Sequence, residues 1–289
     1  MITGIDHVGI YVRDLERAAA DITILLGRAA EWRGAIGDHR HAWFQLGNMA
    51  LDLIAPEGNS DGAQKTHAYM DKHGEGIWGL GFAVSDLERA SALLIRRGLD
   101  VLPAAVTRSL NEGGGTRDWR IAMIRRASTG GATLFLVQQE AARISILDAP
   151  DDTVSAVDHI VINTTDPERA TALYGARLGL DLRLDRSNAQ WGARLQFFRC
   201  GSATVEIASK LGEASNSNPD SFGGLAFRVG NAEEAHARLT RSGFEVSALR
   251  PGRKPGTGVF TVRSRTADVP TLMLEAQERP NRKSSFTQN

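Results

Sequence analysis

The chain has 289 residues, of which 24% are charged, with Lys+Arg and Asp+Glu both at 34 and a formal net charge of +0. That balance gives no global field for nucleic acid or an anionic membrane, so neither is expected as a partner. A single cysteine, Cys200, excludes an intrachain disulfide and suits a reducing compartment, and the cytoplasm is the expected location.

In chain order, the first strand pattern covers 5–12, so no export-type leader is expected, and no stretch reaches the ~18 apolar residues of a membrane span. Asp14 is the expected N-cap of a helix that ends at Gly27. Gly47-Asn48 reads as a two-residue hairpin turn. Counting back from it sets Trp43 opposite Asp52, and period-two alternation sends His41 and Gln45 to the same face. His39 is expected to lie beyond that strand. A second strand pattern covers 77–84, followed by Ser85 with Glu88 as a capping box and a helix ending at Gly98. Gly113-Gly-Gly115 reads as a hairpin loop rather than a phosphate cradle.

The segment 140–155, with Ala149-Pro-Asp-Asp152 inside it, reads as the domain boundary. A third strand pattern covers 157–164, with Thr165 and Glu168 as a capping box, Pro167 in the first turn and Gly179 at the helix end. Gly201-Ser202 is a second hairpin turn that sets Phe197 opposite Glu206, with Leu195 and Arg199 as that strand's neighbours on the face. Cys200 reads as a small buried strand residue. The fourth strand pattern covers 222–229, with Asn231 as N-cap and Gly243 at the helix end. Gly252–Gly258 reads as another hairpin loop, and the polar residues 277–289 as a disordered tail.

These units are copies of one another. His7-Val-Gly-Ile-Tyr-Val-Arg-Asp-Leu-Glu-Arg-Ala18 returns as Gly79-Leu-Gly-Phe-Ala-Val-Ser-Asp-Leu-Glu-Arg-Ala90, and more loosely from His159 and from Gly224. Each module reads β-α-β-β-β, and its apolar face needs a partner module. The expected fold class is α+β: four βαβββ modules paired into two cupped, barrel-like mixed-sheet domains. The expected divisions are 1–140 for modules 1 and 2, a linker at 141–154, 155–276 for modules 3 and 4, and the tail. Which modules pair is left open. The first position of the four copies reads His7, Gly79, His159, Gly224. Aligned on the last strand, a second column reads Asp52, Phe135, Glu206, Met273.

A paired βαβββ unit with His on its first strand and a carboxylate on its last resembles the vicinal oxygen chelate superfamily, which includes glyoxalases, epimerases, extradiol dioxygenases and bleomycin-binding proteins. The wording of Ile5-Asp-His-Val-Gly-Ile-Tyr-Val-Arg-Asp-Leu15 and Ala172-Leu-Tyr-Gly-Ala-Arg-Leu-Gly-Leu180 is close to that family, and His73-Gly-Glu-Gly-Ile-Trp-Gly-Leu-Gly-Phe82 is similar to an epimerase segment. The resemblance covers roughly residues 1–276 and implies a divalent metal held in a cup between two modules. Carried over residue by residue, the metal ligands are His7 and Asp52 in module 1 and His159 and Glu206 in module 3. Modules 2 and 4 offer none.

Module 1 adds His41 on the face of Asp52. Two histidines and a carboxylate suit Fe, and also Mn, Co, Ni or Zn. His41 is therefore a third ligand, a catalytic general base, or a partly exposed strand residue with neither role, and module 1 is the favoured site. Trp43 and Gln45 are the expected substrate contacts in the cup. His67, His73 and His236 read as solvated or locally bonded, and Trp32, Trp78, Trp119 and Trp191 as core. No Gly-x-Ser-x-Gly elbow or reactive-cysteine pattern is present, so nucleophilic catalysis is not expected. The resulting expectation is a metal-dependent enzyme for a small substrate with two oxygen donors, stabilising an enolate in isomerase, epimerase or lyase chemistry. Alternatives are an extradiol-type ring-cleaving dioxygenase and a metal-free small-molecule binding or resistance protein. The partner is a small-molecule substrate, and a homodimer is compatible with the reading.

Overall fold

The computed structural model describes residues 1–139, 149–252 and 255–276. The expected tail, most of the expected linker, and Arg253 and Lys254 lie outside the described residues. The first half contains strand β1 (Ile2–Tyr11), helix α1 (Leu15–Leu26), β2 (Trp32–Ile36), β3 (His39–Gln45), β4 (Ala50–Pro56) and α2 (Asp61–His73). It continues with β5 (Gly76–Val84), α3 (Leu87–Arg96), β6 (Ala105–Leu110), β7 (Thr116–Ile124) and β8 (Leu134–Gln139). These strands close into a barrel in the order β1-β4-β3-β2-β6-β7-β8-β5. Modules 1 and 2 therefore pair through antiparallel β1 and β5, with His7 opposite Gly81 and Gly9 opposite Gly79.

The second half contains β9 (Val154–Asn163), α4 (Pro167–Thr171) running into a π-helical turn (Ala172–Arg177), β10 (Asp181–Asn188), β11 (Ala193–Cys200) and β12 (Ala203–Lys210). It ends with β13 (Ser221–Val229), α5 (Ala232–Arg241), β14 (Arg250–Pro251), β15 (Gly258–Val262) and β16 (Thr271–Glu275). Its eight strands form a sheet in the order β10-β11-β12-β9-β13-β16-β15-β14, so modules 3 and 4 pair through β9 and β13, and among the described residues the sheet keeps two free edges.

The helices start where a side chain satisfies the orphan N–H groups of the first turn. Asp14 accepts from the backbone N–H of Arg17, and Asn231 accepts from those of Glu233 and Glu234. The other two caps sit one residue after the positions expected from Ser85 and Thr165: Asp86 accepts from Arg89 and Asp166 from Arg169. An aspartate carboxylate adds charge to the same hydrogen bond and is favoured at the positive end of a helix. At the far end of α1 the chain turns through Gly27 at φ 74°, whose N–H bonds back to the Thr23 carbonyl.

One apolar core lies between the helices and the outer faces of both sheets. It includes Val8, Phe44 and Phe82 from the first half and Ile160, Phe198 and Phe227 from the second. Burying each of these large side chains contributes roughly 1.5–3 kcal/mol. Polar ties cross the same boundary. The Arg238 guanidinium donates to the carbonyls of Ile24, Leu25 and Asp152, and that of Arg28 donates to Val154 O at 2.7 Å and Gln45 O at 3.2 Å. The Asn48 side chain donates to Val157 O at 2.8 Å and accepts from Val157 N at 3.0 Å.

Two readings of individual residues are corrected. His39 is the first residue of β3 and bonds the Thr66 hydroxyl at 2.8 Å. Trp191 is 51% exposed rather than core. Cys200 is buried as expected.

Candidate functional site in two unequal cups

Inside the first barrel, β3 and β4 pair with Trp43 opposite Asp52, the register read from the hairpin turn. His7, His41, Trp43, Gln45 and Asp52 all end up buried, and the interior is packed by a separate cluster of Trp43, Ala50, Trp119, Phe135 and Val137. The His41 ring is fully committed. Its Nδ1 lies 2.7 Å from Asp52 Oδ1 and its Nε2 2.7 Å from the Ser109 hydroxyl, which also accepts from the Trp32 indole N–H at 2.8 Å. His7 bonds through Nδ1 to Asp6 Oδ1 at 2.7 Å, and its ring packs against Trp43 at 4.9 Å and Phe135 at 5.2 Å. Gln45 accepts from the Trp43 indole at 3.3 Å and donates to the carbonyls of Leu46 and Met49, so it braces its own hairpin. The Arg117 guanidinium lies over the rings of Trp43 and Trp119 at 5.0 and 5.5 Å.

The emptied ligand positions of module 2 have a physical occupant. A Cβ added at Gly79 would stand 3.1 Å from the Phe135 ring, and one at Gly81 would stand 2.6 Å from it. An aromatic ring fills the space that a second histidine and carboxylate would need.

The second cup is arranged differently. His159 on β9 bonds through Nδ1 to Asp158 Oδ1 at 3.0 Å, and its Nε2 stands 3.4 Å from Glu206 Oε2 on β12. The side chains of His159 and Glu206 are 15% and 13% exposed, on the face opposite the apolar core. Asp158 also accepts from Arg228 Nε at 2.7 Å. Burial pushes the Asp158 carboxyl up, but the bonds from His159 and Arg228 outweigh it and hold the group down at about 2. Asp158 thus stays charged and orients the ring. Phe197 lies opposite Glu206 as expected, and Leu195 and Phe197 are half-buried beside it.

In module 4 the register changes the aligned column. Thr204 pairs with His159 and Glu206 with Val161, whereas Leu225 pairs with Thr271 and Ala226 with Leu272. The counterpart of Glu206 is therefore Leu272. Met273 is fully buried in the core on the other face. A one-residue slip in a strand exchanges its two faces.

Among the described residues, no three His, Cys, Asp or Glu side chains converge as the protein donors of a metal would. The set His7, His41 and Asp52 does not fit a divalent metal, because neither ring nitrogen of His41 has a free lone pair for it. The pair His159 and Glu206 does fit. A carboxylate holds the Nδ1 side of the imidazole, which is the usual support for a metal-binding histidine, and Nε2 faces a second carboxylate.

The Asp that precedes His7 and the Asp that precedes His159 do the same work, and the repeated Asp-His pair was the signal for it in the sequence. Ser109 had none, because barrel closure alone brings β6 beside His41.

Family models described as Glyoxalase/Bleomycin resistance protein/Dioxygenase superfamily match residues 6–119 and 156–268. The chain belongs to this superfamily. Solved structures show how far its fold is shared. A mutant 4-hydroxymandelate synthase from Streptomyces coelicolor superposes with a TM-score of 0.68 at 14% identity, covering 96% of this chain and 95% of that one. A Mn(II)-bound glyoxalase from Novosphingobium aromaticivorans gives 0.64 at 16% identity, covering 96% and 83%. A halotolerant catechol dioxygenase gives 0.60 at 12% identity, covering 96% and 87%. At these identities the shared property is the fold, and the superfamily puts different chemistries on it. Among the described residues no helix is long and apolar enough to cross a membrane.

Proposed function

We propose that the chain is a superfamily enzyme of the isomerase, epimerase or lyase kind, acting on a small substrate with two neighbouring oxygen atoms, and that its site is the C-terminal cup. The observation that carries this is the facing of His159 Nε2 and Glu206 Oε2 at 3.4 Å, with both side chains still partly reached by solvent at 15% and 13% exposure, on the second sheet. The equivalent residues of module 1 are shut inside a closed barrel. The preference moves from module 1 to module 3 because His41, which favoured module 1, is used up by Asp52 and Ser109.

Each residue has a definite part. Asp158 accepts the Nδ1 proton of His159 and so turns the Nε2 lone pair toward Glu206. Arg228 fixes Asp158 from the other side. Glu206 presents a carboxylate next to that lone pair. Leu195 and Phe197 give the cup an apolar wall that limits water at the oxygen end of the substrate. A divalent metal (Fe, Mn, Co, Ni or Zn) held by His159 and Glu206 would supply Lewis-acid stabilisation of negative charge on paired substrate oxygens. With two protein donors, the remaining positions suit a bidentate substrate and water. The family resemblance implies that an extradiol dioxygenase draws its ligands from modules 3 and 4, and in module 4 Gly224 and Leu272 supply none.

The test is metal uptake by purified protein, measured by elemental analysis after equilibrium dialysis against each of these metals. We expect one equivalent per chain, retained in His7→Ala and weakened at least tenfold in His159→Ala and Glu206→Ala, with circular dichroism confirming the fold. Uptake that disappears in His7→Ala and survives His159→Ala overturns the assignment. No uptake by the parent protein shifts the chain to the metal-free binding reading.

A further inference from the structure

We propose that the N-terminal barrel carries a second, separate chemistry: Ser109, His41 and Asp52 form a nucleophilic triad that cleaves small esters. The three residues come from β6, β3 and β4, and are joined by two contacts of 2.7 Å each. The positions of the protons follow from the partners. Asp52 as a carboxylate only accepts, so His41 carries its proton on Nδ1 and leaves Nε2 as the acceptor. The Ser109 hydroxyl then donates to Nε2, while its oxygen accepts from the Trp32 indole. This is the order of proton donors that lets an imidazole take a serine proton while a buried carboxylate stabilises the cation that forms.

A reactive serine needs a route to solvent, and the fold provides one at its weakest seam. The barrel closes between β2 and β6 through a single bridge, Ala35 with Leu110. Over that seam lies an open cleft of about 810 Å³, lined by Gly34, Ala35, Arg40, His41 and Leu110 among others. Gly34 has no side chain there because Ser109 stands directly behind it. An added Cβ would come 2.5 Å from Ser109 Oγ and 2.6 Å from Leu110 O. Ser109 is fully buried with the seam closed. Substrate reaches it when the bridge parts.

The reaction balances with water as the only co-reactant. Ser109 Oγ bonds to the ester carbonyl carbon as its proton passes to His41 Nε2. The carbon–alkoxide bond breaks, and the leaving alcohol takes that proton. Water then gives a proton to His41 and its oxygen to the acyl carbon. The Ser109 ester bond breaks, Ser109 recovers its proton, and a carboxylic acid leaves.

The experiment treats full-length protein with a fluorophosphonate probe, which phosphonylates an activated serine and releases fluoride, and locates the adduct by mass spectrometry. We expect an adduct on Ser109, absent in Ser109→Ala and formed at least ~100-fold more slowly in Asp52→Asn. His159→Ala should label like the parent, which separates this outcome from that of the C-terminal site. A staple across the seam, Ala35→Cys with Leu110→Cys, should block labelling when oxidised and restore it on reduction. This control does not rely on altering the triad. The proposal is overturned if Ser109 stays unmodified under conditions that label a known serine hydrolase, if Asp52→Asn labels at the parental rate, or if the oxidised staple labels normally.

Discussion

Gly224 packs so tightly on Pro270 that a Cβ added to it would stand 2.3 Å from the Pro270 carbonyl oxygen, and its φ is 140°. The position in module 4 that corresponds to His159 is therefore closed to any side chain. Gly224→Ala should lower stability by about 2–4 kcal/mol, combining backbone strain with the clash. A smaller urea midpoint at unchanged slope would show it. A variant as stable as the parent would mean that the strand shifts freely.

The Arg238 guanidinium on α5 serves three carbonyls, two of them at the end of α1. Arg238→Ala leaves these acceptors to water and should cost about 1.5–3 kcal/mol. Four of the five tryptophans lie in the first half, so fluorescence follows mainly that half and far-ultraviolet dichroism follows both. In the variant the two transitions should separate. Coincident transitions would show that the apolar core alone couples the halves.

Burial pushes the Cys200 thiol up to about 12. The folded state favours the neutral thiol, so the stability this adds is complete below the ordinary thiol range and is lost as pH rises through about 12. At pH 8 Cys200 should not react with a disulfide reagent while folded, and should give one equivalent after denaturation. Rapid reaction of native protein would show that β11 opens locally.

Much of the fold was readable because each module repeats the same signals. Hairpin turns at Gly47-Asn48 and Gly201-Ser202 fixed the registers that set Trp43 opposite Asp52 and Phe197 opposite Glu206. Those are local distances, and period-two alternation carried them to His41. What could not be read was non-local. Ser109 reaches His41 only because β2 meets β6, a contact between modules that no turn specifies. The last column failed at Met273 for a different reason. Leu272-Met-Leu274 is apolar on both faces, so its composition could not tell which face each residue takes, and only the pairing with β13 does.

The contrast between a closed and an open sheet has a further consequence for the behaviour of this chain among its own copies. In the closed barrel every strand has a neighbour on both sides, so it offers no template for another chain. In the second half, among the described residues, β10 and β14 have a strand neighbour on one side only, and β10 shows Leu182 and Leu184 at 43% and 47% exposure. Any strand-to-strand assembly on heating should therefore start at the half that holds the His159–Glu206 pair. A charged residue placed on β10 is thus the natural lever for solubility, and Asp181, Arg183, Asp185 and Arg186 already set charges along it.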